Sequence, residues 1–167
     1  MESSYPSELW HDLYVMLGSS SAVLIGLLFV VRSIYLNEIK NKPVFRIRAY
    51  NRTLYLLILF IEAALVLLPQ PTIILGTELV AINLLGLWPP SVNIYHFFYR
   101  NEEISRGGGG WAISRAIEYI VGFLLGIVGG ATLIGHMNWG IYLVTASYVI
   151  LLVLVVLNAS AIMLEIG

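Results

Sequence analysis

Two glutamates, Glu62 and Glu78, stand alone in apolar runs on either side of the turn at residues 69–71. Each lies eight residues from Gln70, which places both about 12 Å from the turn if the runs are antiparallel helices. Ionisable side chains inside hydrocarbon are costly to keep there and are functional candidates by default. The pair is therefore the first candidate for chemistry in this chain.

Three interpretations of the two carboxyl groups are open. In the first, both are protonated or bonded to polar neighbours and only specify helix packing. In the second, they share a proton, because two like charges cannot both be held at close range, and they relay protons. In the third, they line a pore or bind a cation, as acidic rings do in cation channels.

Other polar side chains interrupt the apolar runs. Asn83 follows Glu78 and joins the candidate ion or proton pathway, while Thr145, Tyr148 and Asn158 are compatible with one helical stripe. Polar side chains inside membrane bundles usually bond to neighbouring helices. Interhelical hydrogen bonds are the first interpretation of these residues, and a polar pore lining is the second.

The composition is that of an integral membrane protein. Hydrophobic residues make up 59% of the chain and charged residues 11%, and the mean hydropathy is +0.86. The polar remainder is too short for a soluble catalytic domain, so we predict neither an enzyme nor a cofactor. The absence of cysteine excludes disulfides, thiolate metal sites and cysteine nucleophiles.

The apolar runs predict an all-α bundle of five transmembrane helices in one domain, residues 1–167. The predicted spans are residues 10–35, 49–68, 72–88, 113–135 and 139–164. Pro89 and Pro90 are expected to interrupt the third helix, because proline removes a backbone donor. The aromatic segment 91–100 that follows suits the membrane interface.

The basic residues predict the orientation of the chain. All Lys and Arg residues fall at span ends that face one side: positions 32, 40, 42, 46, 48, 52, 100, 106 and 115. The positive-inside rule then predicts an outside N-terminus and a cytoplasmic C-terminus. The N-terminal segment lacks the basic region of a signal peptide, so we expect the first span to be retained.

The loop after the first span is strongly basic. The side chains predicted to contact anionic lipid headgroups on the cytoplasmic side are Arg32, Lys40, Lys42, Arg46, Arg48 and Arg52. Topology alone requires part of this charge. A role in binding nucleic acid is not expected.

Small residues recur every four positions in two of the spans. The first span carries Gly18, Ala22 and Gly26, and the fourth carries Gly122, Gly126 and Gly130. Such stripes let helix backbones approach closely. We expect spans one and four to pack antiparallel through them, the alternative being that one stripe faces a second subunit.

Two histidines could hold a metal at the outer surface. His11 and His136 both fall on that side, with Glu8 and Asp12 nearby, and such ligands suit zinc or copper. Their spacing matches no metal motif, and interfacial histidines are usually only hydrated. No metal is predicted, and this site ranks last.

One stretch resembles known proteins. The residues Trp10–Asp12, the small-residue run Gly18–Ala22 and the segment Gly26–Val30 are similar to those of small multi-pass bacterial membrane proteins. The resemblance implies a bacterial cytoplasmic membrane, and it carries over no activity and no functional residue.

Together, these features predict a small homo-oligomeric channel or transporter-like protein that passes protons or cations by Glu62 and Glu78. A symmetric oligomer is expected, because a few short spans rarely enclose a conduit alone. The alternative is an accessory subunit that binds a larger membrane complex through its glycine-rich faces.

Overall fold

The computed structural model describes residues 7–36, 43–99 and 109–166. The helices are α1 (Ser7–Ile34), α2 (Pro43–Leu67), α3 (Thr72–Gly86), α4 (Trp88–Tyr99), α5 (Gly109–Ile134) and α6 (Gly140–Ile166). No residue in these ranges belongs to a strand. Five helical segments are long and apolar enough to cross a membrane: Trp10–Ile34, Tyr50–Leu67, Thr72–Val92, Ser114–Ile134 and Gly140–Ala159. The predicted all-α class and the number of spans are confirmed.

The third candidate span contains the junction between α3 and α4. Leu87 lies between the two helices, and its N–H is within hydrogen-bond distance of Asn83 O and Leu84 O, at 3.2 Å each. The two prolines fall in the first turn of α4, where a missing N–H removes no helical hydrogen bond. Hydrogen bonding continues past the junction from Ser91 N to Leu87 O at 3.2 Å.

Two helices organise the bundle. The central helix α5 packs against α3, α4 and α6, while α2 packs against α1, α3 and α6. The turns at residues 68–71 and 135–139 lie at one end of the bundle, which we call the turn end. The opposite end, where α2 and α5 begin, is the loop end.

The predicted antiparallel pairing of spans one and four is wrong. Helix α1 packs on α2, where a Cβ added to Gly18 would lie 3.1 Å from Ala63 Cβ. The glycines of α5 instead face α3 and α6, and a Cβ on Gly130 would lie 2.9 Å from Gly76 O. The predicted pairing compared only how deep the two stripes of small residues lie along their spans. Depth along a helix does not determine which other helix packs against it.

The other predicted packing residues take different positions. A Cβ on Gly122 would lie 2.6 Å from Leu151 Cδ2 in α6, so this glycine admits a leucine side chain. Gly26 has nothing within 4 Å of an added Cβ, and Ala22 is exposed. Two of the three residues of the predicted α1 stripe, Ala22 and Gly26, therefore lie on the surface of this subunit.

Only some of the residues predicted to contact lipid headgroups lie in the described part of the chain. Lys40 and Lys42 lie outside the described residues, as do the side chains of Arg46 and Arg48 in α2. Arg32 is half-buried in the last turn of α1. Arg52 is only 8% exposed and interacts within the protein, which leaves little of it for a lipid.

Candidate functional site

Glu62 lies at the centre of the bundle. It follows Leu59 by three residues and precedes Val66 by four, and both are buried, so helical spacing directs Glu62 into the same core face. Its exposed fraction is 0%. Such a carboxyl group does not line a pore between subunits in this conformation, because no part of it reaches the surface of its own subunit.

Asn83 of α3 is the partner of Glu62 in the described part of the chain. Asn83 Nδ2 donates to Glu62 Oε1 at 2.7 Å and lies 2.9 Å from Leu79 O, one turn back on α3. Asn83 is also 0% exposed. Two buried oxygens of this pair, Glu62 Oε2 and Asn83 Oδ1, have no hydrogen-bond partner.

Gly126 of α5 packs directly against the side-chain amide of Asn83. A Cβ on Gly126 would lie 2.7 Å from Asn83 Cγ and 2.9 Å from Asn83 Nδ2, and it would overlap Asn83 Oδ1. No real Cβ atom sits that close, so glycine is required for the Asn83 amide to lie between α3 and α5. Gly126 was predicted as a packing residue, and its contact is with the candidate pathway residue Asn83.

Glu78 has a different environment. Its Oε2 accepts a hydrogen bond from Gln70 Nε2 at 2.8 Å, and Gln70 Nε2 also lies 3.1 Å from Leu65 O. Glu78 is half-buried near the turn end. These contacts tie the turn between α2 and α3 together, so Glu78 has a structural explanation that Glu62 lacks.

The two glutamates are not in one hydrogen-bonded group in the described part of the chain. The matched depth was counted at Cα positions, but a helical side chain tilts toward the N-terminus of its own helix. On antiparallel helices, Glu62 therefore tilts away from the turn and Glu78 tilts toward it. The carboxyl groups diverge, and each has an amide partner of its own.

A series of hydroxyl pairs leads from this centre toward the turn end. Tyr148 of α6 is within electrostatic range of Glu62, and its hydroxyl bonds to Ser21 Oγ of α1 at 2.8 Å. Nearer the turn end, Tyr14 OH and Thr145 Oγ1 are 2.9 Å apart. Hydroxyl groups both donate and accept, so such pairs can pass a proton in either direction.

The loop end has its own polar pair behind an aromatic layer. Asn158 Nδ2 donates to Tyr119 OH at 2.9 Å. Phe123 lies on α5 between Tyr119 and Gly126, is 0% exposed, and would be overlapped by a Cβ on Gly86. The predicted interhelical hydrogen bonds of Thr145, Tyr148 and Asn158 are confirmed.

The histidines contribute nothing to this centre. His11 and His136 are both exposed, and His136 has a φ of 58° in the turn that ends α5. Within the described ranges, no three His, Cys, Asp or Glu side chains lie close enough together to hold a metal ion.

Sequence reasoning missed part of the site. No repeated spacing in the sequence singles out the tyrosines Tyr14 and Tyr119 or the isolated glycines Gly76 and Gly86. Ser21 was noted only as one of a run of serines. Their roles depend on which helix lies opposite, and spacing within one helix does not contain that information.

Comparison of the chain with protein-family models, curated proteins and solved structures finds no match.

Proposed function

We propose that this is a small membrane protein of channel or transporter type that moves protons or cations through each subunit, with Glu62 as the conducting group. One observation carries the proposal: a fully buried carboxyl group has a single amide partner and one unpaired oxygen. Such a group is costly to keep in hydrocarbon, and a purely structural role needs no unpaired atoms. In this proposal Asn83 positions the Glu62 carboxyl group. Glu78 stabilises the turn between α2 and α3 through its hydrogen bond from Gln70.

The proposed path begins at the turn end and passes the hydroxyl pairs of Tyr14 and Tyr148 before it reaches Glu62. In this proposal the turn end faces outward, the N-terminus is outside and the C-terminus is cytoplasmic, in a bacterial cytoplasmic membrane. The positive-inside rule supports this orientation, because Arg32, Arg52 and Arg115 lie at the loop end of the described part of the chain. Anionic lipids on the cytoplasmic side would contact that end.

The test is ion flux into liposomes that contain the purified protein. Glu62→Gln is expected to lower the flux roughly a hundredfold, the scale on which a positioned proton-transfer group acts. Glu78→Gln is the matched control, because its amide oxygen still accepts the bond from Gln70 Nε2, and its flux should equal that of the wild type. Equal flux in the wild type and in Glu62→Gln would refute the proposal.

Assembly into a homo-oligomer is part of the proposal, and α1 supplies its contact face. In an apolar stretch of 18 residues within the span Trp10–Ile34, 22% of the stretch is buried. The corresponding share is 39% or more in every other candidate span. Ala22 and Gly26 lie exposed on it, and Gly26 has nothing within 4 Å of an added Cβ. A small-residue face of this kind suits a second α1 helix.

This contact can be tested by crosslinking, because the chain has no cysteine of its own. Oxidation of Gly26→Cys in membranes is expected to give a species of twice the subunit mass. Val153→Cys, an exposed position on α6, should stay monomeric. If both or neither crosslink, the α1 interface is wrong.

The alternative function, an accessory subunit of a larger membrane complex, would use the same exposed face of α1. It predicts that the protein copurifies with a different polypeptide and that the purified protein alone conducts nothing. The open position of Gly26 favours this candidate as much as the homo-oligomer, and the flux measurement separates the two functions.

A further inference from the structure

The two hydrogen bonds that Asn83 donates leave two buried acceptors without a donor. Both N–H groups of the Asn83 amide are used, one by Glu62 Oε1 at 2.7 Å and one by Leu79 O at 2.9 Å. A backbone carbonyl only accepts, so the bond to Leu79 identifies the nitrogen end of the amide. The atoms that remain are Glu62 Oε2 and Asn83 Oδ1, both buried and unpaired.

A proton on Glu62 would give the carboxyl group a donor for Asn83 Oδ1, since the 2.7 Å bond already places the carboxyl group beside the amide. An ionised carboxylate has no donor to offer, whereas a carboxylic acid has one O–H group and an amide oxygen accepts it. The described surroundings supply no other donor to either oxygen. Tyr148 of α6, which interacts electrostatically with Glu62, has Ser21 as its hydrogen-bond partner, and Glu78 of α3 is bonded to Gln70.

A metal cation fits this place poorly. Hard cations such as Ca²⁺ and Mg²⁺ take about six or more oxygen ligands, and here only two unpaired side-chain oxygens are available in the described part of the chain. The Gly126 backbone closes the space beside Asn83 Oδ1, where even a methyl group would overlap. A proton needs two oxygens and almost no volume.

We infer that the ligand of the Glu62 site is a proton, bound on Glu62 Oε2 and shared with Asn83 Oδ1 in a two-bond acid–amide pair. The proton comes from solvent and forms the O–H bond of a neutral carboxylic acid, and its release restores the carboxylate. This deepens the proposed function, on which it rests, by choosing protons over cations. In the bound state, every polar atom of the pair has a partner.

Infrared spectroscopy of the lipid-reconstituted protein tests the inference directly. The wild type is expected to show the carbonyl stretch of a protonated carboxylic acid at neutral pH. This band should be lost in Glu62→Gln and kept in Glu78→Gln. Retention of the whole band in Glu62→Gln, or its absence from the wild type, would overturn the inference.

A sodium titration of the wild type provides a second measurement that requires no variant to fold. If a proton occupies the site, the acid band and the unfolding temperature stay constant as sodium replaces a bulky organic cation. If a metal cation occupies it, the band is absent at high sodium and the unfolding temperature rises with sodium. The second outcome rejects the proton.

The transport function and the proton site can be refuted separately. A lost acid band in Glu62→Gln together with zero flux in the wild type leaves the proton site standing and removes the transport function. Flux that depends on Glu62 without any acid band removes the proton and leaves a cation pathway.

Discussion

Replacing Gly130 by leucine is expected to destabilise the folded bundle by about 3 kcal/mol or more, whereas the same change at Gly26 should leave the fold of the subunit intact. A Cβ on Gly130 would lie 2.9 Å from Gly76 O and 3.2 Å from Val80 N, which are backbone atoms of α3. No side chain can move aside to make room, so α3 and α5 must separate. Overpacking a core typically costs about 1–3 kcal/mol and occasionally more, and separation of two helices places this variant at the upper end.

Gly26 is the matched control for that experiment. Both glycines belong to stripes with the same four-residue spacing, but Gly26 has nothing within 4 Å of an added Cβ. Thermal unfolding in detergent should show a strongly lowered midpoint for Gly130→Leu and a folded subunit for Gly26→Leu. Size-exclusion chromatography should show a smaller assembly for Gly26→Leu, because Gly26 lies on the proposed α1 contact between subunits. Equal midpoints for Gly130→Leu and the wild type would contradict the α3–α5 contact.

The spans were predictable from the sequence because hydropathy and length determine them. The predicted span 49–68 corresponds to Tyr50–Leu67, and 113–135 corresponds to Ser114–Ile134. Bilayer thickness imposes a minimum length on every span, whatever its neighbours are. Local composition therefore carries enough information to place each helix along the chain.

The neighbours of each helix were not predictable in the same way. The spacing of Gly122, Gly126 and Gly130 shows that one face of α5 is small, but not which helix covers it. The structure divides the glycines of α5 between two partners, since Gly130 meets α3 and Gly129 meets Gly140 of α6. A single-stripe pattern does not reveal that a second helix also approaches α5 closely, beside the first one.

Glu62 and Asn83 stand out in the sequence as candidates, but their hydrogen bond does not. A lone carboxyl in an apolar run is conspicuous because its burial is costly. The pairing was not predictable, because side chains of α2 and α3 tilt in opposite directions and a count of Cα positions ignores this. Asn83 meets Glu62 because each of the two side chains tilts toward the other.

Asn83→Leu is expected to destabilise the protein by about 1–3 kcal/mol, the usual result of leaving a buried polar group unpaired. Leucine nearly matches asparagine in shape, so the contact with Gly126 changes little. The destabilisation instead comes from Glu62, because its Oε1 loses the hydrogen-bond donor that lies 2.7 Å away. Urea or thermal unfolding in detergent micelles measures the change.

The double variant Glu62→Met/Asn83→Leu is expected to recover most of that stability while it conducts nothing. Replacing both partners of a buried hydrogen bond by apolar groups of similar shape is nearly neutral, so the two substitutions should be strongly non-additive. Recovered folding without flux means that the pair exists for transport, because an apolar core would hold α2 and α3 together equally well. Additive destabilisation would instead identify Glu62 and Asn83 as packing elements, and wild-type flux in the double variant would place the pathway elsewhere in the bundle.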